Sequence, residues 1–215
     1  AWWAKQPLSY SFIFPSNFRL TVVHGGITPK MTEQDLENNQ NLVYIRKESR
    51  LGFAKACNLG YQESSAPNVM FLNNDIKVLN NKDSWINPII EKCSEGLVGP
   101  TMGELSKDLN FVREVDEFID SDYAYLSGWC LSSSKEIFNQ FIEEVSEFKG
   151  PFTEKFNTYF EDTNMGFEAK KLGVKICIIE IPVKHYGKIT TSQLNTASLY
   201  VEAKKKFQKL WKNKI

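Results

Sequence analysis

Residues 69–76 read Val-Met-Phe-Leu-Asn-Asn-Asp-Ile, an apolar run that stops abruptly on two asparagines and an aspartate. Four consecutive apolar residues, preceded by Pro67 and closed by a polar cluster, predict a buried strand. In an open α/β sheet, ligands sit in the loop at the carboxyl end of such a strand. Asp75 is then an acidic oxygen ligand at the edge of a crevice, suited to a hard cation bridging a diphosphate. The ordinary alternative is a turn aspartate that merely ends the strand after Asn73 and Asn74.

Outward from this strand, strand-like and helical segments alternate, which predicts α/β architecture. Strands are expected at residues 10–14, 20–23, 42–45, 69–72, 97–99 and 175–181. Helices are expected at residues 32–38, 53–63, 85–93, 135–148, 162–172 and 195–214, with Gly173 as a natural C-cap. Residues 101–121 are polar and read as a mobile stretch, and residues 123–131 as an apolar segment around Gly128. The gap between residues 14 and 20 holds a turn but not a crossover helix. The N-terminal unit is therefore either a hairpin or an atypically short βα unit.

At 215 residues one domain is expected. Within it, residues 8–100 would bind nucleotide, residues 101–190 would hold the acceptor part, and residues 195–214 would form a terminal helix. The 26 basic and 26 acidic side chains balance, so charge makes no case for nucleic acid as a partner. Cys57, Cys93, Cys130 and Cys177 form no CxxC pair, which points to reduced thiols in a cytoplasmic protein. No apolar stretch approaches the roughly 18–20 residues that span a bilayer. No signal peptide is evident in Ala1 to Gln6, and the start on Ala leads to the expectation of a processed, tagged or longer protein.

Several segments could carry chemistry. Arg50, Gly52 and Lys55 lie where a loop opens a helix, and such an N-terminus favours phosphate. A plain helix start with solvated basic residues is the competing view. Glu161 and Asp162 form a carboxylate pair at a helix start, where the dipole keeps Asp162 ionised as a general base needs. An acid that only caps the helix is the competing view there. His185, in Val183-Lys184-His185-Tyr186-Gly187, could complete a metal site or touch a phosphate. Gly128 suggests a close backbone approach, and Trp129 either stacks on a sugar or belongs to the core.

In this order, the segments resemble family 2 glycosyltransferases of the GT-A fold. The motifs are Gly52-Phe53-Ala54-Lys55-Ala56-Cys57-Asn58-Leu59-Gly60, Phe71-Leu72-Asn73-Asn74-Asp75, Leu126-Ser127-Gly128-Trp129-Cys130, Tyr159-Phe160-Glu161-Asp162 and His185-Tyr186-Gly187. They span most of the chain from about residue 42 to residue 187. The compact, Lys- and Asn-rich form also faintly resembles glycosyltransferase domains of large algal DNA viruses.

The resemblance implies a Rossmann-like fold, with a mixed central sheet flanked by helices. It implies a UDP- or dTDP-hexose donor, Mn²⁺ or Mg²⁺, and a hydroxyl acceptor on a glycan, glycoprotein or glycolipid. Asp75 would match the metal-binding acid, with Asn74 beside it and His185 near the diphosphate or metal. Asp162 would match the base and Glu161 an acceptor-orienting group. Gly128 and Trp129 would lie beside donor sugar and acceptor, while His24, Gly25, Arg50, Gly52, Lys55 and Asn58 would form the nucleotide side. The reaction would be a single inverting displacement.

Three departures stand out. His24 occupies the place of a base-contacting aspartate, Asn164 replaces an acid two positions after the base, and no QxxRW motif is present. The other readings are a non-catalytic nucleotide-sugar or carbohydrate binding module derived from the fold and, less favoured, a sugar nucleotidyltransferase. The nucleotidyltransferase would want a glycine-rich basic loop after the first strand, which residues 14–19 do not supply. The basic C-terminal helix would pack on the domain or, alternatively, lie on a membrane as a peripheral contact.

Overall fold

A computed structural model describes residues 18–25, 41–73, 75–79, 83–145, 149–156, 158–187, 197–212 and 214. The elements expected at residues 10–14 and 32–38 lie outside these. In chain order the strands and helices are β1 (Leu20–Gly25), β2 (Leu42–Lys47), α1 (Phe53–Glu63), β3 (Asn68–Leu72), β4 (Ile76–Val78), a 3₁₀ turn (Asp83–Ile86) and α2 (Asn87–Lys92). There follow β5 (Gly96–Gly99), β6 (Met102–Leu105), β7 (Phe111–Val115), β8 (Ala124–Leu126), β9 (Cys130–Ser134), α3 (Lys135–Glu144), α4 (Glu161–Lys171), β10 (Lys175–Ile178), β11 (Val183–His185) and α5 (Ala197–Trp211). The architecture is mixed α/β with several small sheets.

The central sheet has strand order β10-β5-β9-β3, parallel between β10 and β5 and antiparallel elsewhere. Successive side chains on a strand point to opposite faces, and here both faces are covered. Phe71, Leu97 and Leu131 enter a core with Ala54 and Tyr61 of α1, Phe138 and Phe141 of α3, and Met165 of α4. Met70, Leu72, Val98 and Cys130 face the other way, against Trp85, Ile86, Ile89 and Cys93. A strand between two apolar layers has no polar face, which is why residues 69–72 read as an unbroken run. β1 and β2 pair in parallel as a separate ladder, Leu20 opposite Leu42, with β1 against α1.

Two segments differ from expectation. The helix expected at residues 85–93 is a 3₁₀ turn followed by the short α2, whose first turn carries Pro88. Proline is tolerated there because its missing N–H has no intrahelical partner in any case. Residues 101–121, expected to be mobile, contain the antiparallel β6–β7 pair, with Met102 opposite Val115 and Gly103 opposite Glu114. β7 is an edge strand whose first four residues are exposed, so its sequence carries no apolar alternation to betray it.

The C-terminal helix belongs to the domain. Ala203, Phe207 and Trp211 of α5 are buried with Phe160 and Phe167, and the Trp211 Nε1–H donates to Asn164 Oδ1 at 2.9 Å. Its apolar stripe is covered by protein, which removes the ground for laying that stripe on a bilayer. Among the described residues, no helix is long and apolar enough to cross a membrane. All four cysteines are free thiols.

Candidate functional site

The site begins where β3 ends. Asn73 N–H donates to the carbonyl of Trp129 at 2.7 Å, tying the strand end to the Gly128-Trp129 turn. The chain then runs through Asp75 into β4, which pairs antiparallel with β11 so that Ile76 lies opposite His185. Tyr186 N–H donates to the Asp75 carbonyl at 2.9 Å. This register brings His185 Nε2 to 3.1 Å from Asp75 Oδ1, joining two candidate metal ligands far apart in sequence.

The Trp129 ring stacks on His185, centroids 4.7 Å apart and planes 10° apart. Its Nε1–H donates to Thr101 Oγ1 at 2.7 Å. With 7% of its surface exposed, Trp129 is no open platform for a sugar. Its face is taken by the imidazole that it orients, and of the two readings the packing supports the core one.

Beside it, Gly128 N–H donates to Asp162 Oδ2 at 2.8 Å. A Cβ on Gly128 would lie 2.9 Å from the Asp162 Cβ, so only glycine allows this approach. Asp162 Oδ1 accepts from Thr163 N–H at 2.7 Å and from the Thr163 hydroxyl at 3.3 Å. A carboxylate offers about four acceptor positions. Three are used, and among the described residues the fourth has no donor. Burial pushes the Asp162 carboxyl above the ordinary aspartate range, opposed by the Gly128 and Thr163 N–H groups and assisted by the negative charge of Glu114.

The turn that delivers Asp162 is strained. Tyr159 and Phe160 both have left-handed backbones, φ 74° and 71°, at a cost of about 1–3 kcal/mol each. Aromatic packing against α5 holds them: Phe160 stacks on Phe207 at 4.9 Å and Tyr159 meets Tyr200 edge-on at 5.4 Å.

Glu161 differs from its neighbour. It is buried, its Oε1 has no hydrogen-bond partner, and burial pushes its carboxyl up to about 8. It is therefore largely a neutral acid at pH 7. The folded state keeps this proton up to about pH 8, whereas the unfolded chain releases it near 4.5. Across that window the folded state binds more protons, so stability falls as pH rises, by at most about 1.4 kcal/mol per pH unit. Glu161→Gln removes this dependence. The melting temperature of the variant should gain on that of the wild type between pH 5 and pH 8.5, and parallel melting curves across that range would contradict the assignment.

On the expected nucleotide side the results are mixed. Gly52 precedes α1 with φ 78°, a conformation that calls for glycine, and Arg50 and Lys55 are exposed around that helix start. Asn58 is corrected to a structural role. It is buried, its Oδ1 accepts from Phe152 N–H at 3.0 Å, and its Nδ2 donates to the Phe152 carbonyl at 2.8 Å and Glu154 Oε1 at 3.3 Å. His24 and Gly25 close β1 opposite Arg46 and Lys47. Their side-chain surroundings, and Asn74 altogether, lie outside the described residues.

Sequence reasoning missed Thr101, Glu114 and Tyr125. Thr101 Oγ1 donates to Glu114 Oε1 at 3.1 Å. Tyr125 is buried over Gly103, where a Cβ would overlap its phenol. The Gly103 and Gly128 positions were the available signals, each a place where a side chain must approach backbone. Among the described residues no group of three or more His, Cys, Asp and Glu converges. A cation at Asp75 and His185 would thus take one oxygen and one nitrogen from the protein, and phosphate oxygens and water would complete its shell. The imidazole suits Mn²⁺ better than Mg²⁺, which prefers oxygen.

No protein-family model matches the chain. A putative ankyrin repeat protein, L371, of Acanthamoeba polyphaga mimivirus is 27% identical over 180 residues, covering 78% of this chain and 23% of that protein. The chain thus spans about a quarter of the length of that curated relative. Among solved structures, HddC from Yersinia pseudotuberculosis aligns over 87% of this chain and 76% of its own with 12% identity and a TM-score of 0.34, a likeness that carries no argument.

Proposed function

We propose that the chain is a metal-dependent, inverting glycosyltransferase of the GT-A kind. It would move a hexose from a nucleoside-diphosphate sugar to a hydroxyl of a glycan or glycoconjugate. One observation carries this reading: Asp162, Gly128, Trp129, His185 and Asp75 form an unbroken string of contacts. A carboxylate with a free acceptor position stands at one end of that string and a carboxylate–imidazole pair at the other. The string closes around the carboxyl end of β3, tied there by the Asn73 N–H to Trp129 carbonyl hydrogen bond.

In the proposed step the acceptor hydroxyl attacks the anomeric carbon as Asp162 takes its proton. The new C–O bond forms while the bond from that carbon to the phosphate oxygen breaks, and the electron pair leaves with the nucleoside diphosphate. The raised proton affinity of Asp162 suits a general base, since a stronger base gains more from the transfer. Gly128 and Thr163 hold the carboxylate still, which fixes the direction of approach. Asp75 and His185 are the residues that would hold the metal, with Trp129 fixing the imidazole plane. A bound divalent cation would supply neutralisation of the charge that develops on the diphosphate.

A ligand that binds only the folded protein raises its melting temperature by mass action. UDP-, dTDP- and GDP-hexoses, each tested with and without Mn²⁺, should therefore yield one donor with a clear metal-dependent shift. The same donor should release nucleoside diphosphate on incubation with sugar acceptors. No metal-dependent shift with any of them would remove the basis of this reading.

A further inference from the structure

We infer that Glu114, on the edge strand β7, is a specificity-determining residue that receives a second hydroxyl of the acceptor, so that the acceptor is a polyol such as a sugar ring. This rests on the transferase reading of Asp162 and extends it to the opposite wall of the same site.

The placement follows from the β7-β6-β8 sheet. Gly103 of β6 lies opposite Glu114 on one side and opposite Tyr125 on the other. Directly opposed residues in antiparallel strands share a face, so Glu114, Gly103 and Tyr125 form one row. Glycine at the centre of that row lets the Tyr125 phenol lie flat over the strand. Behind burial, the negative charges of Asp162 and Glu114 both act on the Tyr125 phenol to hold its proton, so Tyr125 neighbours both carboxylates. A second route joins the same two ends. Glu114 accepts from Thr101, Thr101 accepts from the Trp129 indole, and the neighbouring Gly128 binds Asp162. Glu114 and Asp162 are thus joined by two chains of neighbouring residues, one through Gly103 and Tyr125 and one through Thr101 and Trp129.

Their surroundings differ in a useful way. Asp162 has three of its acceptor positions filled and is held up by burial. Glu114 is exposed, and the Thr101 hydroxyl is its hydrogen-bond donor in the structure. A free carboxylate position facing solvent is what a hydroxyl pair needs as a second anchor, because a carboxylate only accepts. An acceptor with a single hydroxyl could use Asp162 alone. An acceptor with two could be held at both, which fixes which oxygen meets the base. The negative charge of Glu114 also acts on Asp162, raising its proton affinity along with burial.

The test uses the full chain with Mn²⁺ and the donor giving the largest thermal shift. Acceptor probes are methyl α- and β-glycosides of glucose, galactose and mannose, with 1-propanol as a single-hydroxyl probe. Glu114→Gln and Glu114→Ala should raise KM for the best glycoside roughly ten- to a hundredfold, the worth of one hydrogen bond to a charged group. kcat at saturation should fall far less. The acidic limb of the pH–rate profile should move to lower pH in Glu114→Gln, since the neighbouring charge no longer holds Asp162 up. Wild type should prefer the glycosides to 1-propanol, and the Ala variant should lose most of that preference.

A structural contribution alone would lower the melting temperature and leave KM and the pH limb in place, and that result overturns the inference. An active wild type in which Asp162→Asn is inactive and Glu114→Ala retains its glycoside KM overturns it as well, while sparing the transferase reading. A wild type inert with every donor and probe overturns both.

Discussion

Asp162→Asn should lower turnover by roughly 10²–10⁴-fold, the usual worth of a positioned general base, while the protein still binds its nucleotide donor. The side chains are nearly equal in size, so the packing around Gly128 survives. What changes is chemistry on both oxygens. Asp162 accepts from Gly128 N–H on one oxygen and from Thr163 on the other. Asparagine has one acceptor oxygen, so one of these N–H groups faces an NH₂ and loses its partner, at about 1–3 kcal/mol. The variant should accordingly melt somewhat lower, and donor-induced thermal shift separates that loss from the loss of the base. Azide sharpens the test because it has no proton to surrender. With azide as acceptor, the gap between variant and wild type should shrink by an order of magnitude or more. A variant that transfers to hydroxyl acceptors at the wild-type rate would end the role assigned to Asp162.

Much of this arrangement could be read from sequence, for identifiable reasons. The β3 strand was legible because both its faces pack on apolar layers, leaving an unbroken apolar run that ends on polar residues. The Glu161–Asp162 pair was legible from its place at a helix start, and the left-handed Phe160 before it makes that start abrupt. Gly128 was legible because glycine inside an apolar segment suggests close approach, and Asp162 is what approaches. The partnership of Asp75 with His185 depends on an antiparallel pairing between two three-residue strands, which no local pattern encodes.

The errors have equally physical causes. Asn58 is expected on the donor side because the family resemblance places it in the nucleotide-side segment, yet its helical position turns it inward to the backbone of Phe152. Trp129 stays open between sugar platform and core in the sequence, because a lone sequence cannot say which ring covers another. Residues 101–121 look unstructured because β7 is an edge strand with most of its side chains in solvent. Glu114 was hidden in that stretch. A charge on an exposed strand carries no sequence mark of the face it shares with a distant aspartate.

The second large effect concerns the other end of the string. Asp75→Ala and His185→Ala should each weaken Mn²⁺ binding by at least 10–100-fold, the range reached even when groups behind the ligands are lost. The readout is the Mn²⁺-dependent part of the donor-induced thermal shift, which either change should abolish at submillimolar metal. The two variants should differ without metal. His185→Ala removes the ring that stacks on Trp129 at 4.7 Å and opens space beside a buried indole. It should lower the melting temperature more than Asp75→Asn, which keeps an amide within reach of the imidazole. Trp129 gives an independent signal, since its ring lies directly on the proposed ligand. Mn²⁺, added with donor, should quench its fluorescence in the wild type and fail to do so in Asp75→Ala. His185→Asp tests the identity of the cation: an all-oxygen pair should move the preference from Mn²⁺ toward Mg²⁺. If either alanine variant retains the full Mn²⁺ response, the cation does not sit between Asp75 and His185. Their 3.1 Å contact would then be a structural hydrogen bond that closes the β4–β11 pair.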